Sequence, residues 1–126
     1  MTKKILLIED DQILGKLYQL KFQKNGFAIA IAFDGKEGLD LMRSGDPDLV
    51  ILDLLMPRMD GFAFLEALNA DAALAGRNTP VIVLSNLGQN DDIKRAKALH
   101  ARDFFVKADT SLDQMVETVR RYVGEA

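Results

Sequence analysis

Five short apolar runs punctuate the chain, at Ile5–Ile8, Phe27–Phe33, Leu49–Leu52, Val81–Leu84 and Phe104–Val106. Three of them are apolar without interruption over four residues. That is the pattern of strands covered on both faces of a parallel sheet, where no position looks out at water. Phe27–Phe33 differs, because Phe27, Ile29, Ile31 and Phe33 alternate with Ala28, Ala30 and Ala32. One face of that strand is bulky and the other is small.

Helical patterns with recognisable ends fill the intervals. The first follows Glu9-Asp10-Asp11, carries Ile13, Leu14, Leu17 and Leu20 as its apolar positions, and stops at Asn25-Gly26. Asp34-Gly35 opens a second helix with Leu39 and Met42 inward, and Asp60-Gly61 a third with Phe62, Leu65 and Leu68. Asn90 is placed to cap a fourth containing Ile93, Ala96 and Leu99, with Asp91 and Asp92 in its first turn. Thr110-x-x-Asp113 and Ser111-x-x-Gln114 both have the form of a capping box for a last helix with Leu112, Met115, Val116, Val119 and Val123 at the 3.6 period. Five strands alternating with five helices predict a doubly wound α/β domain. The pattern predicts one domain over residues 1–126, with no output domain.

Composition narrows the chemistry. A chain of 126 residues buries roughly two thirds of its unfolded surface and needs no covalent or metal staple. The absence of cysteine excludes disulfides, iron–sulfur ligation and thiol catalysis, and with a single histidine as well it effectively rules out a structural zinc site. Sixteen Lys+Arg against nineteen Asp+Glu leave a net charge of −3, so there is no basic footprint for nucleic acid. The longest apolar stretch, residues 49–56, is broken by Asp53, and only four apolar residues follow Lys3-Lys4 before the first acids. Neither a membrane span nor a signal peptide is predicted, and the cytoplasm is the expected location.

A doubly wound sheet binds ligands beyond the carboxyl ends of its strands, so the strand-end residues are the candidates. The first strand ends in Glu9-Asp10, the third in Asp53, the fourth in Ser85 and the fifth in Lys107; the second ends in Phe33-Asp34 and offers less. With strand order 2-1-3-4-5, Asp53 is central. The acids and the serine then lie about 5 Å to either side, and Lys107 about 10 Å away, within reach of a long side chain. Taken singly, the acids suit a helix first turn, the serine a turn, and the lysine a solvated surface. Asp53 has no such explanation. It interrupts Leu49–Leu52 and Leu54–Met56, where a lone carboxylate would lack both water and a partner. Three converging carboxylates repel one another unless a cation intervenes, and Mg²⁺ suits a few carboxylates together with phosphate oxygens. A lysine and a hydroxyl complete a cradle for a small tetra-oxygen anion.

The segments Lys4–Asp11, Asp48–Gly61 (with Asp53, Met56-Pro57 and Met59-Asp60-Gly61), Pro80–Ser85 and Phe104–Lys107 together resemble a response-regulator receiver domain of two-component signalling. The likeness covers essentially the whole chain. It implies a flavodoxin-like five-stranded parallel sheet in the order 2-1-3-4-5 with five helices. It implies that Asp53 is a phosphoacceptor forming an acyl phosphate. Asp10 would be a direct Mg²⁺ ligand, Glu9 would act mainly through water, Asp53 and the Leu55 carbonyl would complete the set, and Asp11 would start the first helix. Ser85 would donate to a phosphoryl oxygen, Lys107 would pair first with Asp53 and then with the phosphoryl group, and Phe104 would be the switch aromatic. The implied partners are a histidine kinase or phosphotransfer protein and an unidentified downstream protein, with no nucleic acid, membrane or metabolic turnover.

Several positions depart from the commonest pattern of that family. Ser85 stands for threonine, Phe104 for tyrosine, His100 for a helix-ending glycine and Ala108 for proline. Because a cis bond costs about 2.5–4 kcal/mol before a residue other than proline, Lys107–Ala108 is expected to be trans. Leu55 and Leu87, two residues after Asp53 and Ser85, cannot orient a water and suggest an apolar lid over a long-lived phosphoryl group. Two rivals share the scaffold. One is a phosphorylation-independent protein-binding module. The other is an aspartyl-phosphate phosphatase, which would want a general acid where Leu54-Leu55 stand. Gly15-Lys16 and Gly35-Lys36 lack the remainder of a P-loop.

Overall fold

Strands β1 (Lys4–Ile8), β2 (Ala28–Ala32), β3 (Leu49–Leu52), β4 (Val81–Ser85) and β5 (Asp103–Val106) pair in parallel in the order 2-1-3-4-5 in the computed structural model, which describes residues 2–124. Every residue of β3 and β4 is buried, as their unbroken apolar runs require. At the edges the demand relaxes. β5 is half-buried throughout, and β2 exposes the small side chains of Ala28 and Ala30.

The helices are α1 (Gln12–Lys24), α2 (Gly35–Gly45), α3 (Gly61–Ala70), α4 (Ala72–Ala75), α5 (Asn90–Ala98) and α6 (Leu112–Val123). Strand alternation divides the core in two. Leu6, Ile8, Val50, Leu52, Val81 and Val83 meet residues of α2, α3 and α5, including Met42, Phe64, Leu65 and Ala96. Ile5, Leu7, Leu49, Ile51, Ile82 and Leu84 meet Tyr18 and Phe22 of α1 and Met115, Val116 and Val119 of α6. Five helices of nine residues or more match the predicted number; α4 is an additional single turn. Its four residues are too few to carry a period, and it forms because Asp71 accepts from the N–H groups of Ala73 and Leu74, each at 3.1 Å.

Local details correct the sequence reading in places. Gln89, not Asn90, is the N-cap of α5; it makes no side-chain cap bond, and Asn90 is already helical. Of the two capping-box candidates, Ser111-x-x-Gln114 forms the box, whereas Thr110 Oγ1 donates to the Val106 carbonyl at 2.8 Å. On α1 the period identifies the helix but not its inner face. Leu14, Tyr18 and Phe22 pack toward the sheet, while Ile13, Leu17 and Leu20 are 79%, 48% and 54% exposed. His100 takes the left-handed conformation just after α5 (φ 73), a conformation that glycine commonly supplies at a helix end. The Lys107–Ala108 bond is trans, and Lys107–Asp109 form a 3₁₀ turn.

Candidate functional site

Register sets the level of the site. Ile8 pairs with Leu52 and Leu52 with Val83, so the chain leaves β1, β3 and β4 at one rim of the sheet. Glu9 and Asp53 still belong to the ladder there: the Glu9 N–H donates to the Ala32 carbonyl at 2.9 Å and the Asp53 N–H to Ile8 at 3.0 Å. Their carboxylates are therefore held by sheet geometry rather than by a loop. Both are buried, whereas Asp10 is exposed. Glu9, Asp10 and Asp53 each offer a carboxylate oxygen, and these oxygens lie within 4.8 Å of one another. Asp11 stands apart. Its Oδ1 accepts from the Leu14 N–H at 3.0 Å as the N-cap of α1.

Lys107 reaches across two strands to this rim. Its Nζ donates to Asp53 Oδ2 at 2.8 Å and lies 2.5 Å from Glu9 Oε1. Asp53 Oδ1 faces the Leu55 N–H at 3.4 Å. Burial, with Asp53 adding repulsion and Lys107 opposing, pushes the Glu9 carboxyl up to about 7. Burial works against the Lys107 charge as well, but the hydrogen bonds it donates to Asp53 and Glu9 outweigh this and hold the ammonium above its ordinary value. One lysine among three carboxylates leaves the rim short of positive charge, and a hard divalent cation fits that deficit. Oxygens within 4.8 Å are near the separation of about 4 Å that opposite ligands at about 2.0–2.1 Å span, and Asp10 keeps one side open to water.

Ser85 is fully buried at the end of β4, and its Oγ accepts from the Leu87 N–H at 3.3 Å. Val83 pairs with Phe104 and Ser85 with Val106, so strand alternation puts Ser85 and Phe104 on one face of the sheet. Phe104 is half-buried against the core on that face. Leu87 packs against the same core, whereas Leu55, two residues beyond Asp53, is 58% exposed. Gly61 closes the loop after Asp53: its N–H donates to the Leu54 carbonyl at 3.0 Å, and a Cβ there would come within 2.7 Å of Leu54 Cα.

One contributor escaped the sequence reading. Asn86 Oδ1 accepts from the Ala108 N–H at 3.1 Å, tying the loop after β4 to the turn that presents Lys107. The available signal was Ala108 itself, which exposes a donor that proline would lack. A cavity of about 380 Å³ beside the start of β4, lined by Leu65, Leu74, Val81, Leu99 and His100 among others, contains none of the rim residues and is not the site.

Comparison with known proteins agrees with this geometry. The sequence model of the response regulator receiver domain matches residues 5–120. The Regulator of RpoS of Escherichia coli K12 is 35% identical over 117 residues, 93% of this chain, but the chain spans about a third (34%) of that protein's length. The polar-differentiation response regulator DivK of Brucella ovis is 28% identical over the full length of both chains. The receiver domain of Francisella response regulator 1452 superposes with a TM-score of 0.87 at 30% identity, covering 97% of each chain. The strand order 2-1-3-4-5 agrees with that family match, and the chain belongs to the response regulator receiver domain family.

Proposed function

We propose that this protein is a phosphoacceptor switch that takes a phosphoryl group onto Asp53 from a phosphohistidine of a histidine kinase or phosphotransfer protein, with Mg²⁺ present, and thereby changes the surface it offers a protein partner. The observation that carries the reading is Lys107 Nζ bonded to Asp53 Oδ2 inside a triad of carboxylates at the rim. In the transfer an Asp53 oxygen bonds to phosphorus as the P–N bond breaks, and the released imidazole takes up a proton. Asp10, Asp53, Glu9 (mainly through water) and the Leu55 carbonyl would hold the cation, whose chemistry is to neutralise charge between carboxylate and phosphoryl oxygens.

The protein's own groups do the rest. Lys107 orients the Asp53 side chain before transfer and then follows the added negative charge. The Ser85 hydroxyl, whose bond to Leu87 uses the oxygen and not the proton, donates to a phosphoryl oxygen once one arrives. Phe104 lies on the same face and carries no hydroxyl, so its ring can shift inward as Ser85 turns without breaking a hydrogen bond. Support for a protein donor comes from α1, which starts just beyond Asp11 and shows Ile13, Leu17 and Leu20 to solvent beside Lys16, Lys21 and Lys24, with no acid in the helix. Among the described residues no helix is long and apolar enough to cross a membrane, and the proposed setting is the cytoplasm.

Incubation with acetyl phosphate and Mg²⁺ is expected to add one phosphoryl group to the intact mass, and Asp53→Asn or chelation to abolish the addition. Undiminished labelling of the Asn variant contradicts the assignment, and absence of labelling in the parent favours a phosphorylation-independent binding module.

A further inference from the structure

The loop between β3 and α3 carries Leu55 past Asp53, and its far shoulder rests on the start of α2. Arg58 adopts the left-handed conformation there (φ 64), which residues with a Cβ take only when a specific contact favours it. Its guanidinium makes an ion pair with Asp34 Oδ2. Asp34 is 1% exposed and is the N-cap of α2, its Oδ1 accepting from the Glu37 N–H at 2.9 Å. The buried Oδ2 has no donor in hydrogen-bond geometry, so the Arg58 charge is what compensates it. Next to this pair the Gly35 N–H donates to the Met59 carbonyl at 3.0 Å, and a Cβ on Gly35 would come within 2.8 Å of that oxygen. Loop and helix start therefore touch backbone to backbone, with the ion pair alongside.

We propose that Asp34 and Arg58 are positioning residues: their ion pair clamps the β3–α3 loop onto α2 and so fixes the Leu55 backbone beside Asp53. The inference rests on the reading above, in which the Leu55 carbonyl helps to hold the cation. Neither residue touches the reacting atoms. Arg58 acts from a side chain that is 70% exposed, which is why its charge reads as an ordinary surface residue in the sequence.

Asp34→Asn keeps an N-cap oxygen and removes the charge, and Arg58→Asn keeps a residue tolerant of the left-handed conformation and removes the guanidinium. By calorimetry, each single variant is expected to weaken Mg²⁺ binding about tenfold, the size typical of groups that support a metal ligand. The double variant is expected to be no weaker than either single, and Arg58→Lys to recover part of the loss. Amide exchange at Leu55 and Met59 should quicken in the single variants. Binding within twofold of the parent in both folded variants overturns the clamp. Should the parent itself bind no Mg²⁺, the functional reading fails separately, and unchanged exchange at Leu55 and Met59 in the variants overturns the clamp on its own.

Discussion

Lys107 offsets the charge of a rim that carries three carboxylates, and it does so from the turn that follows a strand two places away from Asp53. That Asp53 needs a partner was legible in the sequence, because it breaks an apolar run; that Lys107 is this partner was implied by the family resemblance. The Arg58–Asp34 and Asn86–Ala108 contacts were not legible, since each joins groups separated by more than twenty residues whose types are ordinary for turns. Asp34 also permits a pH test. The Glu37 N–H, against burial and helped by Arg58, holds its carboxyl below the ordinary 3.8. A lowered folded-state pKa means stability that is fully present above 3.8 and is lost as pH falls through the folded value. Asp34→Ala is thus expected to cost about 1 kcal/mol at neutral pH in denaturant titrations, with the gap shrinking as the pH is taken progressively below 3.8. A gap that is constant with pH contradicts this.

At the scale of elements, the strands and the five longer helices followed from their periods, but α1 shows what a period leaves open. The helix has two apolar stripes, and only packing against Phe27 and the sheet decides that Tyr18 and Phe22 go in while Ile13, Leu17 and Leu20 stay out. Gly15 belongs to the inner side, where an added Cβ would sit 3.6 Å from Ile31. An exposed aliphatic row flanked by lysines near the acceptor suits a protein donor that must bring its phosphohistidine to the rim. Leu17→Asp is expected to slow transfer from such a protein donor about tenfold, the loss typical of a central contact, while labelling by acetyl phosphate is unchanged. Equal rates with the protein donor would show that the row is not covered during transfer.

For the whole molecule, the consequence of a charged, buried rim is that occupancy and stability are linked. Glu9 and Asp53 are buried with Lys107 between them, so a cation that binds the folded rim and not the unfolded chain stabilises the fold. At ten times its dissociation constant Mg²⁺ is expected to add about 1.4 kcal/mol, a rise of about 5 °C in Tm, and Asp53→Asn to lose most of that response. A melting temperature indifferent to Mg²⁺ would remove the cation from the account.

The central claim is that Asp53 is the residue that becomes phosphorylated, and the most direct measurement is to map the acyl phosphate. After labelling with acetyl phosphate and Mg²⁺, borohydride reduction converts a phosphorylated aspartate to homoserine, which peptide mass spectrometry locates. The account predicts that conversion at position 53 and at no other aspartate. Homoserine at Asp10, Asp11 or another position, with Asp53 intact, would contradict it.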